Sequence, residues 1–166
     1  MPTTISFTRT SATPEVPAGT IEVFAHPTYG RITARYILNG NGSALDKGDL
    51  CRMKASQSNS STVTTSATAS LDKNYLRGVA DHAIPDTYYG WIIIQGQCVI
   101  KGDGSVTVPT PLVADATAGR AKNYTAAPPS NTAALAEALA VFGFALADDG
   151  AAGSTFSALL YGFTEA

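Results

Sequence analysis

Hydrophobic and polar positions alternate along much of this chain with the two-residue period of a β-strand. The strongest case follows Gly90, where Trp91, Ile92, Ile93, Ile94, Gln95, Gly96, Gln97, Cys98, Val99 and Ile100 succeed one another. Strict alternation puts Ile92, Ile94, Cys98 and Ile100 on one face and Trp91, Ile93, Gln95, Gln97 and Val99 on the other, which predicts one core face and one amphipathic face. Upstream, Ile21, Val23 and Ala25 define a short strand that His26-Pro27 ends, and Gly30 reopens the chain into Arg31 to Leu38, where Ile32, Ala34, Tyr36 and Leu38 share a face. Asn39-Gly40-Asn41-Gly42 is a hairpin signal, because both residue types accept positive φ. Asp46-Lys47-Gly48-Asp49 predicts a second turn, leading into a strand over Leu50 to Ala55.

The pattern then weakens. Residues 56–70, SQSNSSTVTTSATAS, form a low-complexity Ser/Thr tract with Val63 as its one sizeable apolar side chain, which predicts a solvated loop or an exposed edge strand pinned by a neighbour. Tyr75 and Leu76 precede an Ile84-Pro85-Asp86 turn before the Trp91 strand. Gly102-Asp103-Gly104 predicts a turn into a strand over Ser105 to Val108, which Pro109 and Pro111 end. A long connection follows through Ser130, marked by Gly119 and Pro128-Pro129. Ser130 or Asn131 is suited to N-cap a short helix running to Leu139, since the alanines, leucines and Glu137 between them favour it. Val141 to Ala147, the Asp148 to Gly153 turn, and Ser154 to Phe163 predict a closing hairpin. Short strands separated by Gly, Asn and Asp turns predict an all-β fold: a β-sandwich or small β-barrel with an extended N-terminal arm and at most one or two short helices.

The arm is residues 1–19 and the β-rich domain residues 20–166. In the arm Ile5 and Phe7 alternate with Thr4, Ser6 and Thr8 before Pro14 and Pro17 interrupt, so it suits a sheet edge, another chain or a solvated tail. Lys+Arg 11 against Asp+Glu 13, with 14% of residues charged, provides no field to grip a phosphate backbone, and no nucleic-acid partner is expected. The apolar run from Ala138 to Ala147 is about half of the roughly 20 residues a membrane helix needs, so no membrane partner is expected either. The first residues lack a cationic start and an apolar core, and synthesis in the cytoplasm is the expectation. Cys51 and Cys98 each fall on the apolar side of a predicted strand, which favours buried free thiols; a disulfide between them stays open.

Candidate chemistry is sparse. His26 and His82 each lie beside a turn, without the His-x-x-x-His or Cys-x-x-Cys spacing of a zinc site. Asp148-Asp149 and Asp103 are accounted for by the turns that hold them. Nucleophile-elbow, phosphate-loop and dinucleotide motifs are missing from the sequence, so no enzyme activity and no cofactor are expected. Aromatic residues gather in two places, Tyr88, Tyr89 and Trp91 at the start of the long strand and Tyr161 and Phe163 near the carboxyl end. Core packing explains part of them; the rest suit a protein interface or a stacked sugar.

Four segments carry a family resemblance. Gly48-Asp49-Leu50, the run from Ile84 to Trp91 followed by Gln95-Gly96, Thr110-Pro111-Leu112-Val113, and Val141 to Leu146 together resemble the small capsid decoration, or cement, proteins of tailed bacteriophages, over roughly residues 48–163. The resemblance implies a homotrimer on the outer surface of a phage head, seated on the major capsid protein where capsomers meet and stabilising the mature shell. It implies no catalytic residues. The arm lies outside the resemblance, and its own alternation leads to the expectation that Ile5, Phe7 and Arg9 bind the capsid through it. The resemblance together with the aromatic clusters leads to the expectation that Tyr88, Tyr89, Trp91, Tyr161 and Phe163 form the oligomer interface. The alternative is a phage tail or fibre-tip module that binds a receptor or glycan.

Overall fold

The computed structural model describes residues 6–54, 61–66, 76–125 and 140–161. Ten strands run through them: β1 (Ile21–His26), β2 (Gly30–Asn39), β3 (Leu50–Met53), β4 (Thr62–Thr64), β5 (Leu76–Ala80), β6 (Tyr89–Lys101), β7 (Pro111–Ala114), β8 (Ala121–Asn123), β9 (Gly143–Ala145) and β10 (Thr155–Leu160). The fold is all-β, with no helix among the described residues. The helix expected after Ser130 lies outside them.

The pairings make two units that share β6. In the first, β2 pairs with β4, β4 with β3, β3 with β5, β5 with β6, and β6 again with β2, which closes a five-stranded ring. One buried side chain from each of these strands, Ile37, Val63, Cys51, Ala80 and Ile92, joins Leu45 and Ile84 in a cluster that fills it. In the second unit β6 pairs with β10, and β9, β7 and β8 follow in order. The end of β6 meets β8 through a Gly102–Ala121 bridge. The larger core, including Tyr36, Trp91, Ile93, Cys98, Ile100, Leu112, Phe142 and Phe156, extends between the units.

Simple alternation misplaces half of β6. Ala34 pairs with Ile93 but Thr33 pairs with Gln95, so Ile94 is an extra residue without a partner on β2. Such a bulge exchanges the two faces of a strand. Before it, Trp91 and Ile93 face the larger core while Ile92 fills the ring; after it, Cys98 and Ile100 face the core and Gln97 turns out.

Four other expectations are corrected. The Ser/Thr tract supplies β4, which is buried and internal, paired in parallel with β2 and antiparallel with β3. Asn39 to Gly42 does not join paired strands, since β2 and β3 are not neighbours. Ser105 to Val108 is not a strand, and the expected long connection contains β7 and β8. Cys51 and Cys98, by contrast, are the expected free buried thiols, each in a different core cluster. The two expected strands β1 and β2 form and pair with each other, and the closing β9–β10 hairpin forms as expected.

Candidate functional site: an exposed cross-strand face and a docked arm

Residues directly opposite each other in a sheet project to the same side. The register therefore traces one surface row across five strands. Val23 of β1 lies opposite Thr33 of β2, Thr33 opposite Gln95 of β6, Gln97 opposite Leu159 of β10, and Leu159 opposite Phe144 of β9. This face carries large apolar side chains in water: Ile21 is 51% exposed, Val23 53%, Leu159 39% and Tyr161 49%. Tyr161 packs edge-on against Phe144 at 5.3 Å. A groove of about 490 Å³ lies in the row, lined by Arg31, Thr33, Gln95, Gly96, Leu159, Leu160 and Tyr161.

The row ends on an open sheet edge. Among the described residues β1 has β2 as its single strand neighbour. The Tyr36 amide donates to the Thr20 carbonyl at 2.8 Å. Antiparallel ladders alternate from there, so Glu22, Phe24 and His26 turn their backbone groups toward β2, while Ile21, Val23 and Ala25 turn theirs outward. Edges of this kind are commonly blunted by Lys, Pro or a bulge. The strand IEVFAH contains none of these.

On the opposite side of β1 the arm is docked on its own chain. Phe7 is buried in the larger core, with its ring 5.5 Å from Phe24 and edge-on to His26 and His82, each at 5.7 Å. Farther along, Ser11 and Tyr89 exchange backbone hydrogen bonds at 3.1 and 2.8 Å, and the Gly19 amide donates to the Tyr36 carbonyl at 2.7 Å. Arg9 stays at the surface and pairs with Glu15 at 2.7 Å.

A polar cluster supports the Phe7 socket. His26 Nδ1 accepts backbone N–H groups of Thr28 and Tyr29 at 3.1 and 3.2 Å. The ring proton therefore sits on Nε2, which donates to Asp81 at 3.0 Å. Lys47 lies 3.4 Å from the other Asp81 oxygen, and Tyr29 stacks on His26 at 4.3 Å. Neither ring nitrogen of His82 has a hydrogen-bond partner, and burial holds its pKa below the usual histidine range. Burial likewise pushes both cysteine thiols well above theirs, which leaves little thiolate. Among the described residues no three His, Cys, Asp or Glu side chains gather to hold a metal.

The expected interface aromatics separate. Tyr161 is on the exposed row. Tyr88 is also exposed, but just before β6; Tyr89 is half-buried and stacks on Tyr36 at 5.8 Å. Trp91 is enclosed in its own chain's core, edge-on to Phe24 at 4.9 Å, because β6 is covered on that face. Of the expected arm residues, Phe7 fills its own chain's core and Arg9 is at the surface; Ile5, like Phe163, lies outside the described residues. Ile21, Val23 and Leu159 were not singled out from the sequence. Alternation marks them as strand residues but does not tell which face of a strand another element covers.

No protein-family model matches the chain, and no curated protein does. Among solved structures it is similar to the N base of head fiber gp8.5 of bacteriophage phi29, with 12% identity and a TM-score of 0.49, over 80% of this chain and 98% of that one.

Proposed function

We propose that this chain is a capsid decoration protein that binds the outer surface of a phage head where capsomers meet, and that it works there as a trimer. The observation that carries the proposal is the row from Val23 to Phe144, which exposes Ile21 and Val23 at one end and Leu159 and Tyr161 at the other on one side of an otherwise well-filled β body. Exposed apolar side chains at both ends of a polar middle formed by Thr33, Gln95 and Gln97 are a mixed surface of the kind protein contact sites use. The row is broad and shallow, which fits a protein surface as partner, and the outward backbone groups of Ile21, Val23 and Ala25 add a means of pairing with a strand. The sequence resemblance names the partner, the major capsid protein.

The mechanism is mass action. A ligand that binds only the mature lattice stabilises it by RT ln(1+[L]/Kd), and three linked copies raise the effective concentration of each contact. Modest individual contacts then suffice. Few charges and many hydroxyls lower the cost of drying the surface.

Heads assembled without this chain provide the test, scored for occupancy by electron microscopy and gel densitometry at matched salt. Val23→Lys combined with Leu159→Lys is expected to keep the wild-type melting temperature to within a few degrees, since both sites are exposed, and to weaken head binding by about tenfold or more. Wild-type occupancy by the double variant would move the binding surface off the row. A wild-type protein that fails to bind heads but labels tail tips in virions would support a receptor-binding module instead.

A further inference from the structure

We propose that residues 6–19 form an acid-released latch, in which Phe7 caps His82 at neutral pH and leaves its socket when His82 takes up a proton. This device is independent of what the exposed row binds. The geometry joins three observations. Phe7 is the arm's buried aromatic anchor, and its ring lies edge-on to both histidines at 5.7 Å. His82 has both ring nitrogens buried without a partner. Beyond Phe7, the described arm contacts are few: the Ser11–Tyr89 bridge, the Glu15 amide donating to the Tyr36 hydroxyl at 3.3 Å, the Gly19 amide on Tyr36, and Val16 against the core.

An imidazolium has two N–H donors and needs water or an acceptor for each. The docked arm supplies neither at His82. Asp81 and Lys47 approach with opposite charge, Tyr29 and His26 are committed to the neighbouring stack, and Cys98 of β6 is a buried thiol. Of these, Asp81 favours the imidazolium and Lys47 opposes it, while burial, the largest influence, disfavours it. Removing the Phe7 ring lets water reach the imidazole. The undocked state therefore binds the proton more tightly than the docked state, and docking weakens as pH falls below the ordinary histidine value of about 6.5. One proton permits at most about a tenfold change per pH unit.

Hydrogen exchange of the full chain tests the latch. After correction for intrinsic exchange, the Ser11 amide is expected to lose about tenfold in protection between pH 7.5 and 5.5, while Ile92 and Ile93 of β6 keep theirs. His82→Phe, which retains a ring against Phe7 and cannot titrate, is expected to abolish the pH step. His26→Gln is expected to retain it. An unchanged wild-type Ser11 amide, a step that persists in His82→Phe, or parallel loss in β6 would each overturn the proposal. Where His82→Phe lacks β6 protection at pH 7.5, His82→Gln replaces it, and the wild-type His82 ring is also titrated by NMR. A His82 midpoint that does not coincide with arm release overturns the latch whatever either variant does.

Discussion

Gly78 shows how much of this fold hangs on single positions. Its φ is +148°, and a Cβ there would come within 2.6 Å of the Ile93 carbonyl oxygen and 3.0 Å of Ile92. Neither neighbour has room to yield, because β6 is paired on both sides at this level. Gly78→Ala is expected to destabilise the protein by about 3 kcal/mol, as read from urea unfolding. Asn39 is a second such position. Its side-chain amide donates to the Ser43 and Ile84 carbonyls at 2.9 and 2.8 Å, and its oxygen accepts the Asn41 amide at 2.9 Å. Asn39→Ala is expected to cost about 1 to 3 kcal/mol in the same measurement. The end of β2 at Asn39-Gly40-Asn41-Gly42 was legible, although only Gly42 takes positive φ and no hairpin forms there; the bond to Ile84 was not legible, since its acceptor lies 45 residues away. Trp91 was illegible in the same sense. Its place beside Tyr88 and Tyr89 suggests a surface cluster, and the packing of Phe24 from β1 and Tyr36 from β2 against it makes it core.

Among the elements, β6 was the easiest to find and the easiest to misplace. Its length and β-branched content announce a strand, but the extra residue at Ile94 exists only relative to β2. Deleting Ile94 would turn Cys98 and Ile100 outward and Gln97 and Val99 inward, so the deletion is expected to lose cooperative unfolding by calorimetry. Ile94→Val, which retains the bulge, is expected to cost about 1 kcal/mol. β4 is the reverse case. Thr62 to Thr64 has one sizeable apolar side chain, Val63, so it reads at most as an exposed edge strand, and it becomes internal because β2 and β3 supply its hydrogen bonds from either side. The arm also gains its place from other elements: Ile5 and Phe7 show alternation, whereas the socket is assembled from Phe24 and His26 of β1 and from His82. Phe7→Ala is expected to cost about 3 to 5 kcal/mol, measured as a drop in the urea midpoint.

At the scale of the whole molecule, the two units meet along one strand and are pinned a second time by the turn after β7. There Arg52 donates to the Asp115 carbonyl at 2.6 Å, Leu50 to the Gly119 carbonyl at 2.9 Å, and Gly119 to the Thr65 carbonyl at 3.1 Å. The all-β class followed from alternation and turn chemistry alone; the sharing of β6 did not, because ring closure depends on pairings between distant segments. The two thiols offer a direct check on unity. Cys51 fills the ring and Cys98 the larger core. In native buffer at pH 8 neither is expected to react with a thiol reagent, and in rising urea both are expected to label with one midpoint. Labelling of Cys98 well before Cys51 would show that the second unit opens alone.

The shared strand also bears on the order in which the chain becomes a protein. During synthesis the ring partners β2, β3, β4 and β5 emerge before Tyr89, yet β2 and β5 can be joined only by β6. A nascent chain that stops short of Lys101 leaves Ile37, Cys51, Val63 and Ala80 without the strand that seals them in. Closing such long loops is slow, and apolar segments awaiting a partner are open to capture by chaperones or by each other. Ribosome-bound chains truncated before Tyr89 should therefore be digested readily by protease, and resistance in the first unit should arise abruptly once residues through Lys101 have cleared the exit tunnel.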